Sequence, residues 1–143
     1  MKKLSLNNVK TQIDKFIDSH IAFFKDIDFV IGMSRGGLIP AVLVSTKLNK
    51  PLITAYINKK DEIFFDRAEW IKDQKILIVD DIIRSGKTMY LLKQHLEKYS
   101  EPKSIKMYAV FSVVPMRDRS YNLMVSAIEI KKDTNLPWDY DRQ

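Results

Sequence analysis

Apolar residues in this chain follow two patterns that alternate from end to end: helical spacing and short unbroken runs. Val9, Ile13, Phe16, Ile17 and Phe24 recur with the period of a helix, predicting one from Val9 to Phe24 with Ser5, Asn7 or Asn8 available to cap it. Phe29-Val30-Ile31-Gly32-Met33 is a short apolar run, the mark of a buried strand, and it ends in Ser34-Arg35-Gly36-Gly37. A mostly apolar stretch from Leu38 to Leu48 predicts a second helix, with Pro40 tolerated in its first turn. Pro51 to Ile57 is a further strand. Asn58 to Asp73, polar at its start and carrying the pair Phe64-Phe65, is a loop with some short extended structure. Ile76-Leu77-Ile78-Val79 is a β-branched and leucine run suited to a strand covered on both faces. Leu91, Leu92, Leu96 and Tyr99 carry a helix from about Thr88 to Tyr99, and Lys106 to Val114 and Leu123 to Ile130 complete the strands. The tail from Lys131 to Gln143 is loop-like.

Strands alternating with helices predict an α/β fold. The whole chain, 1–143, forms one domain around a parallel sheet of about five strands with helices on both faces, and no repeat or linker divides it. In such sheets ligands bind beyond the carboxyl ends of the strands. Both glycine-bearing loops lie there, so they converge on one cleft.

The chemistry concentrates after the fourth strand, in Asp80-Asp81-Ile82-Ile83-Arg84-Ser85-Gly86-Lys87-Thr88. Two adjacent carboxylates closing an apolar strand are costly without a ligand. Ser85, Gly86 and Thr88 suit a tight turn whose N–H groups converge at a helix start, a phosphate cradle. Gly86-Lys87-Thr88 supplies the second half of a Walker A loop, but Asp81 stands where its first glycine belongs. A carboxylate there repels a triphosphate, which excludes that reading. Carboxylates beside a phosphate cradle instead fit a sugar phosphate. At the earlier loop, Gly36 and Gly37 permit close backbone approach, and Arg35 offers a forked donor for phosphate oxygens.

The segment from Ile76 to Met89 resembles the PRPP-binding signature of type I phosphoribosyltransferases, closest to the hypoxanthine-guanine and xanthine-guanine branch. The resemblance implies a small hood of loop and C-terminal residues over the sheet. It assigns Asp80 and Asp81 to the ribose hydroxyls, directly or through Mg²⁺, and thus to catalysis and metal binding. It assigns Arg84, Ser85, Gly86, Lys87 and Thr88 to the 5′-phosphate, with Lys87 ranked below its neighbours. Ser34, Arg35 and Gly36 resemble the pyrophosphate loop, which in the family often contains a cis peptide. Arg67 falls where relatives carry a mobile basic loop over the pyrophosphate. Pro137-Trp138-Asp139 resembles the end of the xanthine-guanine branch, making Trp138 and Ile130 candidates for contact with the base.

Three departures concern the base alone. Arg84 stands where 6-oxopurine enzymes carry an aspartate, and its guanidinium stays protonated at neutral pH. Phe111-Ser112-Val113-Val114-Pro115 lacks the lysine that reads the purine 6-oxo group, and Lys131-Lys132-Asp133 replaces a stacking tryptophan.

The net charge of +6 suits encounter with polyanionic small molecules, and the lysines are too scattered to mark a nucleic-acid surface. With no cysteine, neither a disulfide nor a thiolate metal site is possible. No signal peptide or spanning segment is expected, which implies a cytoplasmic protein. The expected reaction is transfer of the 5-phosphoribosyl group from PRPP to a nucleobase, a purine by preference, releasing pyrophosphate. The alternative is a non-catalytic or regulatory protein of the same fold that binds PRPP or a nucleoside monophosphate. The resemblance also implies a homodimer or homotetramer, with Phe64-Phe65 a candidate contact.

Overall fold

A computed structural model describes residues 4–83, 86–112, 123–129 and 136–138, the third segment as backbone. Helix α1 (Leu6–Ser19) opens with a capping box: the Ser5 hydroxyl accepts from Asn8 N at 3.1 Å, and the Asn8 side chain accepts from Ser5 N at 3.3 Å. The helix does not continue to Phe24 as its spacing predicts. His20 leaves helical geometry, its N–H bonding Ile17 O at 3.1 Å and its ring stacking on Phe16 at 4.1 Å. A short second helix, α2 (Ile21–Phe24), restarts beyond it.

The remaining order is β1 (Phe29–Ser34), α3 (Leu38–Leu48), β2 (Leu52–Ile57), β3 (Ile63–Phe65), a 3-10 turn at Ala68–Trp70, β4 (Lys75–Ile83), α4 (Lys87–Tyr99), β5 (Ser104–Ser112) and β6 (Leu123–Glu129). The six strands lie in the order β3-β2-β1-β4-β5-β6. Five of them are parallel neighbours, as predicted, and β3 adds an antiparallel edge through Ala55↔Phe65 and Ile57↔Ile63. Of the aromatic pair in β3, Phe65 packs on the core, while Phe64 is 53% exposed and stacks on Tyr56.

Side-chain alternation along the central strands divides the core into two layers. Val30, Leu77, Val79, Tyr108 and Val110 face Val9, Ile13 and Ile17 of α1 and Ala41 and Val44 of α3. Ile31, Met33, Ile76, Ile78 and Met107 face Met89, Leu92 and Leu96 of α4. Helices therefore cover both faces. No described helix is long and apolar enough to cross a membrane.

This wiring places the site. From β1 the chain leaves through α3 on one face and returns as β2. From β4 it leaves through α4 on the other face and returns as β5, on the opposite side of the sheet. The carboxyl ends of β1 and β4 consequently flank the point where the winding reverses, the usual ligand crevice of such sheets.

Glycine sets how closely α3 sits on β1. A β-carbon at Gly32 would lie 2.7 Å from Ala41 Cβ, so Gly32→Ala must push the helix away. We expect a loss of about 1–3 kcal/mol, seen as a lower urea midpoint at unchanged slope. An unaltered midpoint would mean that this contact does not set the spacing.

Candidate active site

The loop after β1 folds across onto the end of β4. Gly37 N donates to Met33 O at 2.8 Å, and a β-carbon at Gly37 would stand 2.8 Å from Val79 O. Gly36 lies against Asp81: a β-carbon there would collide with Oδ2 and come within 2.7 Å of Cγ. Only glycine lets the two loops approach so closely. The Ser34–Arg35 peptide is cis, and the Arg35 carbonyl accepts from Leu38 N at 3.1 Å. Ser34 ends β1 half-buried, while Arg35 is exposed.

The two carboxylates have different surroundings. Asp80 Oδ1 accepts from Asp81 N at 2.8 Å. Asp81 Oδ1 accepts from Ile82 N at 2.8 Å, and its Oδ2 accepts from the indole Nε1 of Trp138 at 3.0 Å. Trp138 itself packs at the margin of the α1/α3 layer, beside the buried Leu136. Burial, and secondarily the negative charge of Asp81, push the Asp80 carboxyl well above the usual carboxylate range. A carboxylate oxygen has lone pairs beyond one hydrogen bond, so both residues keep oxygens for a sugar hydroxyl or a hard cation. The donor set therefore fits Mg²⁺.

At the start of α4, Gly86 takes the cap position at φ +82°, and its carbonyl accepts from Tyr90 N at 3.0 Å. Gly37 caps α3. Glycine has no side chain to satisfy the first-turn N–H groups, in contrast to Ser5 on α1. Both helices at the crevice thus begin without a side-chain cap.

The family model described as "Phosphoribosyl transferase domain" matches residues 3–143. The chain belongs to this family. It is a phosphoribosyltransferase, transferring the 5-phosphoribosyl group of PRPP to a nucleobase with release of pyrophosphate. It is 31% identical over 129 residues to a xanthine-guanine phosphoribosyltransferase of Cereibacter sphaeroides, an alignment covering 77% of this chain and 68% of that one. A xanthine-guanine phosphoribosyltransferase of Idiomarina loihiensis is 29% identical over 121 residues, covering 77% and 70%. In fold it is similar to a purine phosphoribosyltransferase of Pyrococcus horikoshii (TM-score 0.77, 24% identity, covering 96% and 93% of the two chains). It is also similar to a Neisseria gonorrhoeae protein crystallised with bound ppGpp (TM-score 0.76, 16% identity, covering 99% and 92%).

The phosphoribosyltransferase fold brings Asp80, Asp81, Gly36 and Trp138 together. Arg67 follows β3, the edge strand of the sheet. Asp66 N there bonds Thr54 O at 3.2 Å, and the Arg67 guanidinium lies 5.2 Å from the Trp70 ring centroid. Lys87 Nζ reaches Asp61 Oδ2 at 3.2 Å, in the turn after β2. Thr88 is exposed in the first turn of α4. Arg84, Ser85 and Ile130 lie outside the described residues. The sequence alone did not point to Asp61 or to the Trp138–Asp81 bond. The αL backbone at Asp61 was hidden in a polar loop, and the second contact spans 57 positions.

The raised Asp80 carboxyl has a stability consequence. Between its ordinary value of 3.8 and its higher folded value, the native state holds a proton that the unfolded chain has lost. Raising pH through that window therefore destabilises the fold. Asp80→Asn should raise stability at neutral pH, with the gain vanishing near pH 4. Thermal melts across that range check it, and a variant that melts below wild type at pH 7 would contradict it.

Proposed function

We propose that this enzyme transfers the phosphoribosyl group to a purine, with Asp80 and Asp81 holding the ribose hydroxyls. The apposition of Gly36 on Asp81 supports this most directly, because it joins the loop proposed for pyrophosphate to the loop proposed for ribose. Ser34, Arg35 and Gly36 would take the pyrophosphate. The first-turn N–H groups of α4, with Ser85, Gly86 and Thr88, would take the 5′-phosphate. Lys87 would add positive charge nearby.

Family members generally use Mg²⁺ with PRPP, and here Asp80 and Asp81 would be its protein ligands. Mg²⁺, when bound, neutralises charge on the pyrophosphate. The residues of the chain supply orientation. Held at both phosphate ends, the substrate presents C1′ to the incoming base. The bond from C1′ to the pyrophosphate oxygen breaks with its electron pair leaving on pyrophosphate, the bond to the base nitrogen forms, and the proton that the base loses passes to solvent. The Asp80–Asp81 pair lies where negative charge favours the positive charge that develops on the ribose.

The purine assignment draws on the xanthine-guanine relatives. The sequence departures leave the acceptor half of the site unlike theirs, and Arg84 gives a second reading some force: binding of PRPP or a nucleotide without turnover.

Pyrophosphate release from PRPP and Mg²⁺, followed with hypoxanthine, guanine, xanthine, adenine, orotate and uracil in turn, separates the two. Turnover is expected with a purine, and Gly36→Ala should lower it about a hundredfold or more by displacing the Asp81 carboxylate. Saturable PRPP binding with no turnover on any base would select the second reading.

A further inference from the structure

Trp138 is an aromatic residue near a nucleotide site, and stacking on the base is the obvious role for it. Its hydrogen bond argues for another. The indole N–H is spent on Asp81 Oδ2 at 3.0 Å, and the ring is anchored at the margin of the core beside buried Leu136. Asp81 is thereby held on three sides. Ile82 N holds Oδ1 at 2.8 Å, Trp138 holds Oδ2, and Gly36 closes the space against the same oxygen. A carboxylate with both oxygens engaged has little rotational freedom left. Asp80, by contrast, is held by Asp81 itself, through the Asp81 backbone N–H at 2.8 Å and its side chain.

The geometry points to Trp138 as a positioning residue that aims Asp81 at the ribose, tying the C-terminal tail to the phosphoribosyl half of the site and not to the base. This rests on the reading of Asp81 as a ribose-binding carboxylate. The neighbouring helix layers explain why tryptophan serves. Phenylalanine would pack similarly but has no donor, and a shorter polar residue would not reach Asp81 from the core margin. A hydrogen bond to a charged acceptor is worth enough to matter at about the tenfold level in binding.

Two ligands distinguish positioning from stacking. Ribose 5-phosphate has the sugar hydroxyls without a base, and GMP has both. Each is titrated calorimetrically into wild type, Trp138→Phe, and a protein with β-(3-benzothienyl)alanine at position 138, which replaces the indole N–H by sulfur at nearly constant shape. Thermal melting of each variant identifies any failure to fold, and the benzothienyl protein preserves packing if the phenylalanine one does not. Positioning predicts that both variants bind both ligands about tenfold more weakly, by the same factor for each ligand. Weakening of GMP alone would overturn the proposal in favour of stacking. Wild-type affinity in the benzothienyl protein would overturn it in favour of packing. The same titrations in an Asp81→Asn background should show no further loss from Trp138→Phe, and additive losses would also overturn it. If Asp81→Asn alone leaves both affinities unchanged, the proposed ribose role fails together with the inference. If Asp81→Asn weakens binding and Trp138→Phe does not, only the inference fails.

Discussion

Two carboxylates at the end of a fully buried strand are the constraint around which this molecule is arranged. Ile76, Leu77, Ile78 and Val79 have essentially no exposed surface, and the next two residues are acidic. Taking charge out of water there costs several kcal/mol unless hydrogen bonds or a proton compensate. The structure uses both remedies. Asp81 receives the Ile82 N–H and the Trp138 indole, and the Asp80 carboxyl is pushed towards its protonated form. A site kept in this state is poised for a ligand that brings its own hydroxyls or positive charge, and it is less stable without one.

The topology supplies everything else at that point. Winding outward from β1 in one direction and from β4 in the other opens a crevice between their carboxyl ends. Two glycine-capped helices start at its rim, and Gly36 and Gly37 let the first loop reach across to the second. Substituted by any larger residue, either glycine would push the loop after β1 away from the end of β4 and its carboxylates. The spacing between the two halves of the site is thus a packing property, set by the same close approach that seats α3 on Gly32.

Much of this was legible in the sequence because the relevant signals are local. Unbroken apolar runs marked the parallel strands, helical spacing marked α1 and α4, a mostly apolar stretch with an early proline marked α3, and the acidic pair with its glycine turn marked the expected cleft. What escaped was set by tertiary contact. The break at His20 depends on its ring stacking on Phe16, in a segment whose apolar period runs on undisturbed. Short extended structure was expected between Asn58 and Asp73, but its three-residue length and antiparallel pairing as β3 depend on the edge that β2 offers. The placement of Arg67 beside Trp70, after the antiparallel edge strand, follows from the pairing of β3 with β2. Trp138 was a candidate for contact with the base, but its hydrogen-bond partner is 57 positions away and no spacing rule encodes that.

The central claim is that Asp80 and Asp81 hold a ribose whose 5′-phosphate rests on the start of α4. A crystal structure with PRPP and Mg²⁺, or with a nucleoside monophosphate, tests it most directly. The account predicts ribose hydroxyls within hydrogen-bonding or cation-bridged reach of both carboxylates, the phosphate over Gly86 to Thr88, and the Trp138–Asp81 bond intact. A ligand bound away from the ends of β1 and β4, or a ribose that leaves both carboxylates untouched, would contradict it.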